Sequence, residues 1–229
     1  MSSILTVGTI FGELAQLARA SALHAEGQGF ESLILHHFNK KRGNTMQDFI
    51  KAVFAGFMIG IAALVSIGAG GSYVGAILFS IGLVIIVLCD YNLYTGKIGY
   101  ITSLKEIPKY LKYILGNFIG VYIISLTTSI NSPEIINAKM SAPLLLVFAK
   151  SVGCGFLMFI AVNSYKKHKS LLGTMGCVAA FLLAAYEHSI ADMFYMCLGK
   201  SYNIQTLVFL SIVILGNALG ALLHKLISY

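Results

Sequence analysis

LLGTMGCVAAFLLAAYEHSIADMFYM, residues 171–196, is the stretch on which the reading of this chain turns. Up to Ala185 it is apolar and holds most of the length of a membrane crossing, which needs about 20 apolar residues. Glu187, His188 and Asp192 then place ionisable side chains inside a run that continues with Met193, Phe194, Tyr195 and Met196. An ionisable group at that depth costs at least ~2.5 kcal/mol unless it faces the interior of a bundle or a watery cavity. A helix that breaks at depth is tolerated only where its backbone is buried in protein or lines a cavity. The stretch therefore reads as a broken membrane helix carrying functional groups.

Five more apolar runs surround it, at 49–67, 74–92, 111–128, 142–162 and 204–223. Six runs, in a chain of 229 residues that is 57% hydrophobic and 11% charged, exclude a soluble globular domain, which carries about 25% charged residues. The expected fold is an all-α membrane protein of six transmembrane helices. The net charge of +7 is not a nucleic-acid signal, because the basic residues fall in short clusters between the runs rather than along one face. Lys40, Lys41 and Arg42 precede the first run. Lys105, Lys109 and Lys112 follow the second, Lys166, Lys167 and Lys169 the fourth, and Lys225 the sixth. Short loops rich in Lys and Arg stay in the cytoplasm, so both termini are expected there and the membrane is expected to be the cytoplasmic one.

Six spans form two halves of three, and the second half must then cross in the opposite sense to the first, which permits an inverted repeat. The second run ends in Asp90-Tyr91-Asn92-Leu93-Tyr94-Thr95-Gly96-Lys97, a polar interruption at the position that matches the break in the fifth. Paired breaks of this kind point to a binding site near the midplane. The four cysteines, Cys89, Cys154, Cys177 and Cys197, stand singly in apolar runs and read as small buried hydrophobes. No metal or other cofactor is expected.

Within the spans, His188 is the leading functional candidate, as a neutral imidazole able to exchange a hydrogen bond or a proton. Lys150 in the fourth run is a cation that raises the local anion concentration, or else a snorkelling lysine paired with Glu187 or Asp90. Glu187, Asp192 and Asp90 are secondary candidates.

Residues 1–45 differ in kind, being polar and Ala-rich. The segments Gly12-Glu13-Leu14-Ala15-Gln16-Leu17-Ala18-Arg19-Ala20 and Gly27-Gln28-Gly29-Phe30-Glu31-Ser32 resemble the conceptual translation of a tRNA gene. The preferred account is a spurious or disordered segment ahead of a natural start at Met46, with 46–229 as the transmembrane channel domain. The competing account is an amphipathic cytoplasmic helix.

The motifs then resemble those of the formate/nitrite transporter family. Tyr186-Glu187-His188-Ser189-Ile190-Ala191-Asp192-Met193 is similar to the family's F-E-H-S-I-A-N-M signature, and Leu93-Tyr94-Thr95-Gly96 to its L-F-T-[GS] loop. Lys150 with Cys154 is similar to its K-x-x-x-C segment, Gly216-Asn217 to its G-N element, and Ala55-Gly56-Phe57-Met58-Ile59-Gly60 to its opening span. The resemblance covers 46–229, with nothing matched before it. It implies an aquaporin-like fold with broken second and fifth helices, assembled as a homopentamer in the lipid bilayer with one pore per protomer. Small monovalent anions of weak acids, such as formate, nitrite or hydrosulfide, would be the substrates, and protons a coupled partner. His188 would be the central histidine, hydrogen-bonded to Thr95 and Asn217. Leu93 and Tyr94 would form the cytoplasmic slit, Phe79 and Phe181 the outer one, and Lys150 would be the pore lysine. Asp192 replaces the usual Asn and Tyr94 the commoner Phe. The rival readings are an aquaporin-like channel for small neutral solutes, which lacks its paired Asn-Pro-Ala loops here, and a membrane-embedded enzyme using Glu187 and His188, for which no metal-ligand pair or nucleophile is present.

Overall fold

The computed structural model describes the backbone of residues 30–228 and the side chains of residues 45–227. The chain divides into two units, Met1–Asn44 and Thr45–Tyr229. Residues 1–29 lie outside the described residues, so the expectation for them rests on sequence alone, while the backbone of 30–45 is helical. All six apolar runs fall in the second unit.

Among the described residues all regular structure is helical. The helices are α1 (Phe30–Gly68), α2 (Tyr73–Leu88), α3 (Tyr94–Lys97), α4 (Ile107–Ser125), α5 (Pro133–Met140), α6 (Leu144–His168), α7 (Leu171–Leu183), α8 (Ser189–Leu198) and α9 (Ile204–Ser228). Two short 3₁₀ turns, Ile98–Tyr100 and Leu104–Glu106, join α3 to α4. Three helices are long and apolar enough to cross a membrane unaided: the Thr45–Gly68 part of α1, α6 and Ile204–Ile227 of α9. The second and fifth crossings are each broken in two, α2 with α3 and α7 with α8. The connection after the third crossing folds into α5, which the sequence reading leaves as a loop.

The two breaks are built alike. α2 and α7 both end in a residue with positive φ, Asp90 at 49° and Ala185 at 51°. In each, the next amide reaches back over the last turn, Tyr91 N to Ile86 O at 2.9 Å and Tyr186 N to Phe181 O at 3.0 Å, the pattern of a Schellman stop. The freed backbone beyond is held by one asparagine per half. Asn117 on α4 accepts from Tyr94 N at 2.9 Å and donates to Asn92 O and Ala52 O at 3.0 and 2.7 Å. Asn217 on α9 accepts from Ser189 N at 2.9 Å and donates to Glu187 O and Ser151 O at 2.9 and 2.8 Å. A broken helix away from water must have its orphaned groups satisfied by protein, and these two side chains do so identically in the two halves.

Close helix crossings repeat as well. A Cβ on Gly56 of α1 would lie 1.9 Å from Asn117 O, and one on Gly155 of α6 would lie 2.0 Å from Asn217 O. Only glycine lets α1 meet α4, and α6 meet α9, at backbone contact, the small-residue packing that membrane helices use. The outer surface is apolar, with Leu145 80% and Leu172 83% exposed, as suits contact with lipid or a neighbouring chain.

Candidate functional site

The residues that cap the second half of each break occupy equivalent positions. Leu93 precedes α3 and His188 precedes α8, both in extended backbone. His188 is 2% exposed, and its Nδ1 accepts from Ala191 N at 3.2 Å, capping α8. Nδ1 is thus an acceptor, so the ring proton of the neutral form sits on Nε2 and is given to Thr95 Oγ1 at 2.9 Å. The Thr95 hydroxyl, itself fully buried, keeps its own proton to donate onward. Asn217 does not bond the imidazole. It holds the backbone on either side of it, because Glu187 O and Ser151 O take both of its amide hydrogens and its oxygen accepts from Ser189 N.

Phe79 and Phe181 lie on one side of the histidine. Their ring centroids are 6.1 Å apart in an edge-on arrangement, and Phe181 stacks on His188 at 5.5 Å. A cavity of about 570 Å³ is lined by these three rings together with Lys139, Tyr186 and Asp192. A second cavity of about 300 Å³ opens among Leu93, Gly96, Asp90, Lys97 and Lys166. No residue lines both, and buried Thr95 lines neither. The histidine and the leucine thus end two vestibules from opposite sides.

Three expectations need correction. Lys150 is half-buried and lines neither cavity, and no carboxylate of the described residues reaches it. The buried stripe of α6 is Val147, Ser151, Cys154, Gly155 and Met158, and Lys150 falls on its flank. The cation that faces the site is Lys139 on α5, whose Nζ lies 2.5 Å from Glu187 Oε2 and 3.0 Å from Asp192 Oδ1. Its ammonium also sits 5.5 Å from the centre of the Tyr195 ring. Tyr94, though buried, does not offer its hydroxyl to a slit: the group donates to Ile214 O at 3.1 Å. Asp90 does not pair with Lys150 but lies 2.6 Å from Lys97 and 3.5 Å from Lys51, two-thirds exposed. Partial burial alone would raise the Asp90 carboxyl, and these two lysines outweigh it and hold it below its ordinary range.

The cluster of Glu187, Asp192 and Lys139 is legible only in part along the chain. Lys139 lies in a polar connection where a lysine is unremarkable, and its role appears once α5 folds it toward the break. Asn117 carries a signal, as the one amide in the run 111–128, matching Asn217 in the sixth. Among the described residues no cluster of His, Cys, Asp and Glu has the geometry to hold a metal ion.

A fold of six crossings with two matched breaks, and a buried histidine bonded from one break to the other between two vestibules, defines a multi-pass membrane pore. The formate/nitrite transporter family matches residues 28–229, and the chain belongs to that family, one of transporters and not of enzymes. The match begins ahead of Met46. Among solved structures, one described as an "FNT family ion channel" superposes with a TM-score of 0.75 at 21% identity, covering 82% of this chain and 91% of that one. A "Pentameric formate channel with formate bound" superposes with a TM-score of 0.64 at 19% identity, covering 82% and 95%. Among curated proteins none matches by sequence.

Proposed function

We propose that the chain is a channel for small monovalent anions of weak acids, the formate, nitrite and hydrosulfide class, and that it works as a homopentamer with one pore per protomer. It lies in the cytoplasmic membrane with both ends inside, so that the vestibule of Leu93, Lys97 and Lys166 opens to the cytoplasm and that of Lys139 to the outside.

The observation that carries this reading is the Thr95–His188 hydrogen bond at 2.9 Å, buried between Phe79 and Phe181 on one side and Leu93 on the other. A bare anion there would lose its water for apolar walls, at a cost of several kcal/mol or more. The acid form carries no such penalty. An anion that reaches the inner end of the Lys139 vestibule meets the Thr95–His188 pair, where the Thr95 hydroxyl, its oxygen already engaged by the imidazole N–H, can donate to it, and the anion takes up a proton before crossing. His188 keeps this donor oriented, and the proton itself comes from the outer solution. The imidazole takes it up on Nδ1, releasing the Ala191 amide, passes its Nε2 proton to Thr95 Oγ1 as the Thr95 hydroxyl gives its own proton to the anion, and is left neutral. The positive end of α8 points at the same place and favours negative charge there by a fraction of a kcal/mol.

The test is flux into proteoliposomes with formate, nitrite and hydrosulfide in parallel, with and without an imposed proton gradient. Uptake of at least one of them that rises with an inward gradient is expected. Equal uptake of glycerol or urea, with none of the anions moved, would favour the neutral-solute reading.

A further inference from the structure

Asp192 is 1% exposed and lines the outer vestibule, yet neither carboxyl oxygen has a hydrogen-bond donor in place among the described residues. Lys139 Nζ stands 3.0 Å from Oδ1 but directs its hydrogen bond to Glu187. A buried carboxylate with its lone pairs unmet is expensive, so the site needs an explanation. Counting charges supplies one. One ammonium faces two carboxyls, and the other titratable groups in electrostatic contact with the cluster, Tyr195 on α8, Cys154 on α6 and His188 at the start of α8, are neutral in their ordinary forms. No further charged side chain from α3, α4 or α9 is among the groups acting on Asp192. The cluster is therefore neutral when Glu187 and Asp192 share one proton, and carries one negative charge when that proton is lost.

Resting on the channel reading, we propose that Asp192 makes anion entry from the outer vestibule depend on a proton held between Glu187 and Asp192. With the proton in place the ammonium is balanced by one carboxylate, and an arriving anion meets no excess negative charge. When it is lost, the second carboxylate takes up the field of Lys139 and turns anions away. In Asp192→Asn the cluster is a plain Lys139–Glu187 pair, neutral at every pH where both are ionised, and the amide oxygen can take the place of Oδ1, 3.0 Å from the ammonium.

Two measurements on the full chain in lipid test this. Infrared spectroscopy should show the carbonyl stretch of a protonated carboxyl in the wild type that vanishes on alkaline titration and is missing from Asp192→Asn. That readout stands whether or not the protein conducts. Half-saturating external formate should then be compared between the two proteins across external pH. The wild-type value divided by the variant value should climb about tenfold per pH unit once the pair has lost its proton, because only the protonated fraction is competent. The proposal is overturned if the band is absent, if it survives in Asp192→Asn, or if the ratio is flat with pH. A wild type that shows the band but moves no anion would overturn the channel reading itself, and with it the entry role.

Discussion

At the scale of single residues the site separates two lysines that the sequence alone treats alike. Lys150 stands inside an apolar run, where a cation is conspicuous. Lys139 stands in a polar connection, where it is not. Burial and contacts reverse their order: Lys139 balances buried Glu187 and Asp192, while Lys150 lies on the flank of α6 outside both vestibules. Breaking a buried ion pair by deleting one partner costs about 3–5 kcal/mol, because the other charge is left unmet. Lys139→Gln should therefore lower thermal stability and raise half-saturating formate by about tenfold or more, an effect needing only ~1.4 kcal/mol. Lys150→Gln should change both little. Thermal unfolding and liposome flux on the two variants side by side check this, and a larger loss in Lys150→Gln would return the pore lysine to the fourth span. The histidine, Thr95 and the two phenylalanines are readable from the chain because a polar group in an apolar run, or a motif with fixed spacing, is visible along it. The partner of Asn217 is not, because spacing tells which residues approach a break, not whether they hold its side chain or its backbone.

At the scale of elements the matched breaks are readable as places and not as constructions. Polar interruptions at corresponding positions mark them, and the resemblance supplies the pairing. The stop itself is hidden, since Asp90 and Ala185 share no chemistry, only the left-handed backbone that ends α2 and α7. Asp adopts that conformation with modest penalty, whereas an alanine there carries a cost on the order of 1 kcal/mol that glycine avoids. Ala185→Gly should thus stabilise the protein by up to about 1 kcal/mol, measurable as a raised unfolding midpoint, with flux retained. A fall in the midpoint would mean that the Ala185 methyl matters more than the backbone. The helix that escapes the sequence reading, α5, is only eight residues long and bounded by Pro133 and Ser141, too short and too polar for periodicity to reveal.

At the scale of the whole molecule, the apolar exterior requires a partner of lipid or protein, and the pores of the proposed pentamer lie within protomers rather than between them. Both vestibules and the histidine are built from one chain. Pentamers assembled from wild type mixed with an inactive variant should therefore lose flux in simple proportion to the inactive fraction. A steeper loss would place the pathway, or its gate, between subunits.

The central claim is that His188 connects the anion's passage to a proton. Its replacement by Asn is well suited to the question, because His188 caps α8 and Asn is among the best N-cap residues, so the break should keep its fold while losing the titratable ring. The decisive measurement is uptake of formate across a range of external pH by wild type and His188→Asn in matched liposomes, with pentamer formation confirmed by size. Wild-type uptake should rise as the outside is acidified, and His188→Asn should lose that dependence, leaving at most a leak indifferent to external pH. Superimposable pH profiles would contradict the account, removing the histidine from proton exchange and leaving a passive pore set by Lys139 and the width of its two constrictions.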